Sequence, residues 1–469
     1  MQTSGWLQLG LFVVALAAIT KPMGLYLMRV LDANGRTWLD PVLRPLERLT
    51  YRVMGVDPGK EHDWKQYTVA MLMFSLVGCV FTYAILRRQH LLPLNPQGFG
   101  ALTPHLAFNT ATSFTTNTNW QSYVGEAVMS YLSQMVGLAF HNFVSAATGI
   151  AIAAALVRGI ARHSARTLGN FWVDLVRVTY YLLLPICLVL STVLVSQGMI
   201  QNFKPYTKAK LTESYTIQVP KLDEKGQPVT TNVAVMVQAP KLDAQGKPVL
   251  ANGVAVMVDV PQLDAKGQPV MTNMPVMVDQ EVEEQVIVQG PMASQVAIKM
   301  LGTNGGGYAN ANAAHPFENP TPLSNFLQML AIFAIGSGLT YYLGRMTKNQ
   351  AHGWSVWSAM MVLFLAGTLL CWWAEAKGNP IHQQLGVATA DGNMEGKEVA
   401  SASSTPRCSP RSRPMPPAAQ STRCTIPSRR WVAWSRCSTC NSARSSSAAW
   451  ARGCTGCSSS WCSPSSSPG

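Results

Sequence analysis

Two polar stretches hold the residue types that can replace the water shell of a cation. The first is Asn109-Thr-Ala-Thr-Ser-Phe-Thr-Thr-Asn-Thr-Asn-Trp-Gln-Ser-Tyr123. Within it Thr116, Asn117, Thr118 and Asn119 place small or polar side chains along a backbone whose carbonyls can face one axis, and Gln121 adds a side-chain carbonyl. The second is Gly302-Thr-Asn-Gly-Gly-Gly307, with Thr303, Asn304, Gly305, Gly306 and Gly307. Every donor offered is an oxygen, the set that suits a dehydrated alkali cation. Adjacent glycines fit neither a helix nor a strand interior, but they allow positive φ and a close approach of carbonyls to an ion. Each stretch has a plainer reading, an aqueous loop for the first and a flexible linker for the second. A phosphate cradle would need a Gly-Lys-Ser/Thr ending, which the second stretch lacks.

The flanking segments decide what such loops face. Apolar runs occupy Gly5–Leu31, Tyr67–Leu86, Val128–Val157, Phe171–Gln197, Leu323–Leu343 and Trp354–Trp373. Each is of the length that crosses a bilayer, about 20 residues. Irregular backbone is tolerated at that depth only where protein or a water-filled cavity surrounds it. Short helices over His105–Ser113 and Ala297–Leu301 would aim their C-terminal partial negative charge at an ion. Arg36, Arg44, Arg48, Arg52, Lys60 and Lys65 follow the first run, Arg158, Arg162 and Arg166 the third, and Arg345 and Lys348 the fifth. If the runs alternate across the membrane, all three clusters fall on one side, which is then cytoplasmic, with the N-terminus outside. Arg87 and Arg88 are exceptions. Both polar stretches then lie outside, each ahead of an inward run, as in a repeated helix–pore-loop–helix module.

Composition agrees. Of 469 residues 48% are hydrophobic and only 13% charged, against about 25% in soluble domains. The formal net charge of +13 includes nine arginines after Val399 in a stretch without Asp or Glu, so nucleic-acid binding is the weaker explanation. No positive charge precedes the first apolar run, which reads as a retained span, Lys21 snorkelling from near one end. Between the polar stretches, Pro220-Lys-Leu-Asp, Pro240-Lys-Leu-Asp and Pro261-Gln-Leu-Asp each lead to a run ending in Met-Val, a repeat of about 20 residues that suits three small β-hairpins.

Particular motifs carry a family resemblance. Leu92-Pro-Leu-Asn-Pro-Gln97, Thr116-Asn-Thr-Asn-Trp-Gln-Ser-Tyr123, Gln295 through Gly307, Asn310-Ala-Asn312, His315-Pro-Phe-Glu-Asn-Pro320 and Asn393-Met-Glu-Gly-Lys-Glu398 together resemble the potassium-binding A subunit of the bacterial Kdp-type potassium-transporting ATPase. The resemblance runs to about Glu398, broken by an insertion at Lys208–Glu284. It implies an all-α polytopic membrane protein of potassium-channel-like fold, with ten spans and four pore loops. It further implies a multi-pass inner-membrane location and potassium as the transported substrate, with no other cofactor. The implied partners are a P-type ATPase catalytic subunit and two small membrane subunits, the chain having no catalytic site of its own. Thr116–Asn119 with Gln121 would form one filter strand and Thr303–Gly307 a second.

The expected organisation is a first span at 1–31, a cytoplasmic loop at 32–66 and a first module at 67–200. A β-rich outer insertion comes next at 201–290, then a second module at 291–375, the start of a third at 376–398 and an aberrant tail at 399–469. Cys437-x-x-Cys440 and Cys454-x-x-Cys457 in that tail approach a zinc-ribbon spacing. The surrounding Ser/Arg-rich composition, which cannot bury a core, favours a frameshift instead. Competing functions are a passive cation channel and a surface-binding protein built on the repeats at Pro220–Gln280. Among ionisable residues, Asp174 and Arg177 read as an interfacial pair, His141 as a packed hydrogen-bonded residue, and Lys299 as a family feature of underivable role. Glu126 either concentrates cations or caps a helix in solvent.

Overall fold

The apolar runs become long helices in a computed structural model. It describes residues 3–377, apart from 33–34, 163–165, 221–228, 235, 241–249, 252–253, 256, 262–270, 310–312 and 314. The region expected to start a third module and the Ser/Arg-rich tail therefore lie outside the described residues, save the last few of the final helix.

In chain order the helices are α1 (Thr3–Leu31), the short α2 (Asp40–Met54), α3 (Trp64–Arg88), α4 (Pro104–Thr115), α5 (Ser133–Ala161), α6 (Phe171–Ser196), α7 (Met292–Leu301), α8 (Pro322–Met346) and α9 (Gln350–Lys377). Six of them (α1, α3, α5, α6, α8 and α9) are long and apolar enough to cross a membrane. Local chemistry sets their ends. Asp63 and Gln66 form a capping box before α3, Thr321 and Ser324 another before α8 with Pro322 next in line, and Asn170 accepts from the amides of Trp172 and Val173 to start α6. The third span begins at Ser133, five residues later than hydropathy suggests. Gly125–Val128 makes a separate helical turn, and Gln89 pins it by donating to the Val128 carbonyl at 2.8 Å. Wide π-type turns occupy Ser133–Ala139 in α5 and Val178–Leu183 in α6.

Small residues bring spans together. A Cβ on Gly24 would clash with Tyr341, and Gly338 lies against Met23, so α1 runs close along α8. Thr20 Oγ1 and Ser337 Oγ meet at 2.5 Å, and Trp357 Nε1 of α9 donates to Ser337 Oγ at 2.7 Å.

Buried charges join the helix ends at one face. Arg158 near the end of α5 donates to both Asp174 oxygens of α6 at 2.6 and 2.7 Å and to the Leu31 carbonyl at 2.7 Å, and Tyr67 of α3 donates to Asp174 at 3.0 Å. Arg177 donates to Glu47 of α2 at 3.2 Å and to the Val30 carbonyl at 2.7 Å. Asp174 and Arg177 thus do not pair with each other at the interface. Each turns inward to a partner on another helix, because a buried charge needs a buried counter-charge.

Residues Lys208–Ile287 form a second unit. The repeats there do not make three separate hairpins. β1 (Thr207–Pro220), β2 (Thr230–Ala234), β3 (Met236–Pro240) and β4 (Leu250–Ala251) pair in nested antiparallel fashion with β8 (Met277–Ile287), β7 (Met271–Pro275), β6 (Met257–Pro261) and β5 (Val254–Ala255). Thr230 sits opposite Pro275, Met236 opposite Pro261 and Leu250 opposite Ala255. One long hairpin results. Asn252-Gly253, at its centre in sequence, is the dipeptide that most favours a tight hairpin turn.

Candidate ion-coordinating site

Two short helices deliver the polar stretches. α4 starts at Pro104 after Thr103 and runs to Thr115, longer at both ends than the sequence suggests. α7 is buried at every residue except Ser294, so it is enclosed by protein and is not part of an aqueous loop.

After each helix the backbone makes the same turn. Behind α4, the Thr116 amide donates to Thr112, Asn117 to Phe114, and both Thr118 and Asn119 to the Ser113 carbonyl. Behind α7, Gly302 donates to Ile298, Thr303 to Met300, and both Asn304 and Gly305 to the Lys299 carbonyl. The conformations match as well. Asn117 and Asn119 have φ of 58° and 50°, and Thr303 and Gly305 have φ of 56° and 86°, with negative φ at Thr118 and Asn304 between them. The sign of φ thus alternates along both loops, which a pleated strand does not do. Asparagine tolerates the left-handed region better than most residues, which explains its use at 117 and 119.

The two loops touch along their length. Asn119 Nδ2 donates to the Gly306 carbonyl at 3.2 Å. Gln121 Nε2 donates to the Gly307 carbonyl at 3.0 Å, while the Gly307 amide donates back to Gln121 Oε1 at 2.9 Å. Gln121 is therefore a clamp between the loops, its carbonyl engaged by an amide. Asn304 Nδ2 donates to Asn117 Oδ1, and a Cβ on Gly306 would collide with Asn119. Thr116 and Thr118 are exposed, whereas Asn119 and Asn304 are buried.

The sequence reading missed several residues that hold this arrangement. Asn142 Oδ1 on α5 accepts from Asn119 Nδ2 at 2.6 Å, and Ser145 Oγ donates to Asn117 Oδ1 at 2.8 Å and accepts from Asn304 Nδ2 at 3.1 Å. Gln134 Nε2 donates to the Tyr308 carbonyl at 3.0 Å. The clue available in sequence was polar residues in an apolar span, which in membranes call for a partner. Glu318 was also missed. Its two oxygens each accept from Lys299 Nζ at 2.8 Å, both side chains fully buried, and Oε1 also takes the Ala309 amide at 3.2 Å. Lys299 thus braces the chain beyond the second loop while its own carbonyl anchors the turn.

His141 is buried, with Nδ1 2.7 Å from Thr82 Oγ1 and Nε2 3.2 Å from Thr115 Oγ1, so it links α5 to α3 and to the end of α4. Among the described residues no group of three or more His, Cys, Asp and Glu could hold a metal; the Cys437–Cys457 motif lies outside them. Glu126 is half-buried, and burial pushes its carboxyl from 4.5 up to about 8. A carboxyl that burial pushes toward its neutral form is poorly suited either to gather cations or to cap a helix in solvent.

The protein-family model described as "Potassium-transporting ATPase A subunit" matches residues 10–236 and 257–404. The chain belongs to that family. The potassium-transporting ATPase potassium-binding subunit of Koribacter versatilis is 50% identical over 404 residues, which cover 85% of this chain and 60% of that protein. The subunit of the same name from Acidobacterium capsulatum is 47% identical over 403 residues, 85% of this chain and 59% of that one. That of Methylacidiphilum infernorum is 48% identical over 399 residues, 85% and 58%. The chain thus spans about 60% of the length of these relatives. Its all-helical membrane architecture, with a small β-rich insertion, is that of a multi-pass membrane protein.

Proposed function

We propose that this chain supplies potassium-coordinating loops to an ATP-driven, high-affinity potassium uptake pump of a bacterial inner membrane, with its N-terminus outside. The observation that carries the reading is the turn made identically behind α4 and α7, with the two loops pressed together. Carbonyls and hydroxyls of Thr116–Asn119 and Thr303–Gly307 are the ion's ligands in this reading, and Gln121 spaces the two strands. Fixed oxygen dipoles replace the water shell, and neighbouring sites let the ion leave again. The relatives' names supply the ion and the ATPase. Neither an Asp-Lys-Thr-Gly nor a Walker motif occurs in the sequence, in keeping with ATP hydrolysis in a partner P-type subunit accompanied by two small membrane subunits.

The proposal extends to the tail. The residues after Glu398 read as a displaced frame, and that stretch of sequence holds no further Thr/Asn- or Gly-rich loop of the kind found behind α4 and α7. Resequencing the DNA across the codons for Val399 and Ala400 tests the frame directly. Uptake-deficient cells are then given either this gene or a frame-restored one, each with the ATPase and small subunits. Growth in scarce potassium is expected only with the restored gene, and equal growth with both refutes the displaced-frame reading. Uptake by the restored subunit without ATP or partner would make it a passive channel.

A further inference from the structure

Helix α2 crosses no membrane, yet it carries an apolar face that nothing among the described residues covers. Val42, Leu46, Leu49 and Val53 recur at the spacing of one helical face. All four are exposed, Val42 at 74% and Val53 at 79%. Arg52 and Arg48, also exposed, lie about a quarter to a third of a turn round from the stripe, and Arg44, 3.7 Å from Asp40, lies further round still. Trp38, just before the helix, is 76% exposed.

The opposite face cannot exchange with this one, because it is pinned. Glu47 accepts from Tyr51 at 2.9 Å, from Arg177 at 3.2 Å and from Tyr181 at 2.7 Å, and Thr50 meets Tyr180 Oη at 3.2 Å. The rotation of α2 about its axis is fixed with the apolar stripe outward. The helix also sits at a defined level. Arg177, which holds Glu47, donates to the carbonyls of Val30 and Arg29 at the end of α1 and lies in the first turns of α6. Just ahead of α6, Asn170 Nδ2 donates to the carbonyls of Asp57 and Lys60, beside the start of α3, where Trp64 is exposed. These bonds tie α2 beside the end of α1 and the starts of α3 and α6.

We propose that α2 is an interfacial anchor, its apolar stripe sunk among the acyl chains at that membrane face and its arginines on the phosphates of anionic phospholipids. Three observations favour lipid over a protein partner. The stripe belongs to a helix tied beside the ends of spans. Arginines flanking an apolar row are the pattern of interfacial helices, whose basic residues are drawn to an anionic surface. Trp38 and Trp64 sit where interfacial aromatic belts occur. The inference is independent of the ion-binding loops and of the residues after Glu398.

The test uses the full chain, reconstituted into phosphatidylcholine vesicles with or without phosphatidylglycerol. Single cysteines at the exposed positions 42, 46, 49, 53, 48 and 52 carry a spin label, the native cysteines having been replaced. Collision with oxygen is expected to exceed collision with a water-soluble nickel chelate several-fold at 42, 46, 49 and 53, and not at 48 and 52. Phosphatidylglycerol is expected to deepen the stripe labels. The triple variant Arg44→Gln, Arg48→Gln, Arg52→Gln is expected to lose that response while keeping the contrast between faces. Dominant nickel access along the stripe would place it in water and overturn the proposal. Immobile labels shielded from both reagents would overturn it in favour of a second copy or another protein.

Discussion

Gly306 is where the absence of a side chain matters most, because an added Cβ would meet the Asn119 carbonyl and its Cβ. Gly306→Ala therefore forces the two loops apart, an overpacking cost of about 1–3 kcal/mol. It should appear as a lower thermal midpoint of the detergent-solubilised chain, and an unchanged midpoint would show that the loops do not touch there. Lys299 and Glu318 set a larger penalty. Lys299→Met leaves a carboxylate in full burial and should cost about 3–5 kcal/mol. Adding Glu318→Gln removes the orphaned charge and should recover much of that loss; a double variant as unstable as Lys299→Met alone would show that the ion pair is not the source. Glu126 contributes the pH dependence. Its folded carboxyl titrates near 8 against an ordinary 4.5, so between those values the folded state holds a proton that the unfolded state has released. Stability from this group is full below about 4.5 and falls as pH rises to about 8. Glu126→Gln should flatten the fall by on the order of 1–2 kcal/mol, since the group is only half-buried. Parallel midpoint-against-pH curves for the two proteins would contradict this.

At the scale of elements, hydropathy was sufficient to place the six spans, because a bilayer imposes one length and one composition on each. The two short helices were legible only as suggestions. α4 and α7 are too short to announce themselves, and their bounds depend on caps and packing. The identity of the two turns was hidden altogether, since Ser113 and Lys299 play the same backbone role with unlike side chains. Backbone hydrogen bonding is blind to residue type. The buried pairs escaped for a related reason. Asp174 and Arg177 stand a turn apart in sequence, but their partners, Arg158 and Glu47, come from distant helices. Arg158 joins α5 to α6 and to the end of α1 through one guanidinium. Arg158→Met should cost about 3–5 kcal/mol by stranding Asp174. Limited proteolysis should then cut sooner between residues 162 and 170; an unchanged cleavage rate there would mean that the arginine does not tie these ends together.

On the scale of the whole chain, the question is whether Lys208–Ile287 is needed by the helices. Its nested strands pair with one another, and it forms a unit by itself. The chain leaves and re-enters the helical unit at neighbouring points. The Asn202 amide donates to the Gly290 carbonyl at 3.0 Å, Gly290 donates back to Asn202 Oδ1 at 3.1 Å, and Asn202 Nδ2 donates to Gln289 at 2.7 Å. A short linker can therefore replace the insertion without moving either end, and loop closure favours the shorter connection, each halving of length gaining about 0.6 kcal/mol. Deleting 208–287 and joining Thr207 to Val288 through a few glycines, about four halvings of the connection, should leave the helical unit folded with a thermal midpoint no lower and up to several degrees higher. The same deletion separates the readings of function. In a frame-restored subunit, potassium uptake should persist, because the loops behind α4 and α7 are held by α5, Gln121 and the Lys299–Glu318 pair, none of them in the insertion. Uptake lost with the fold intact would give the insertion a working role and favour a function built on its repeats.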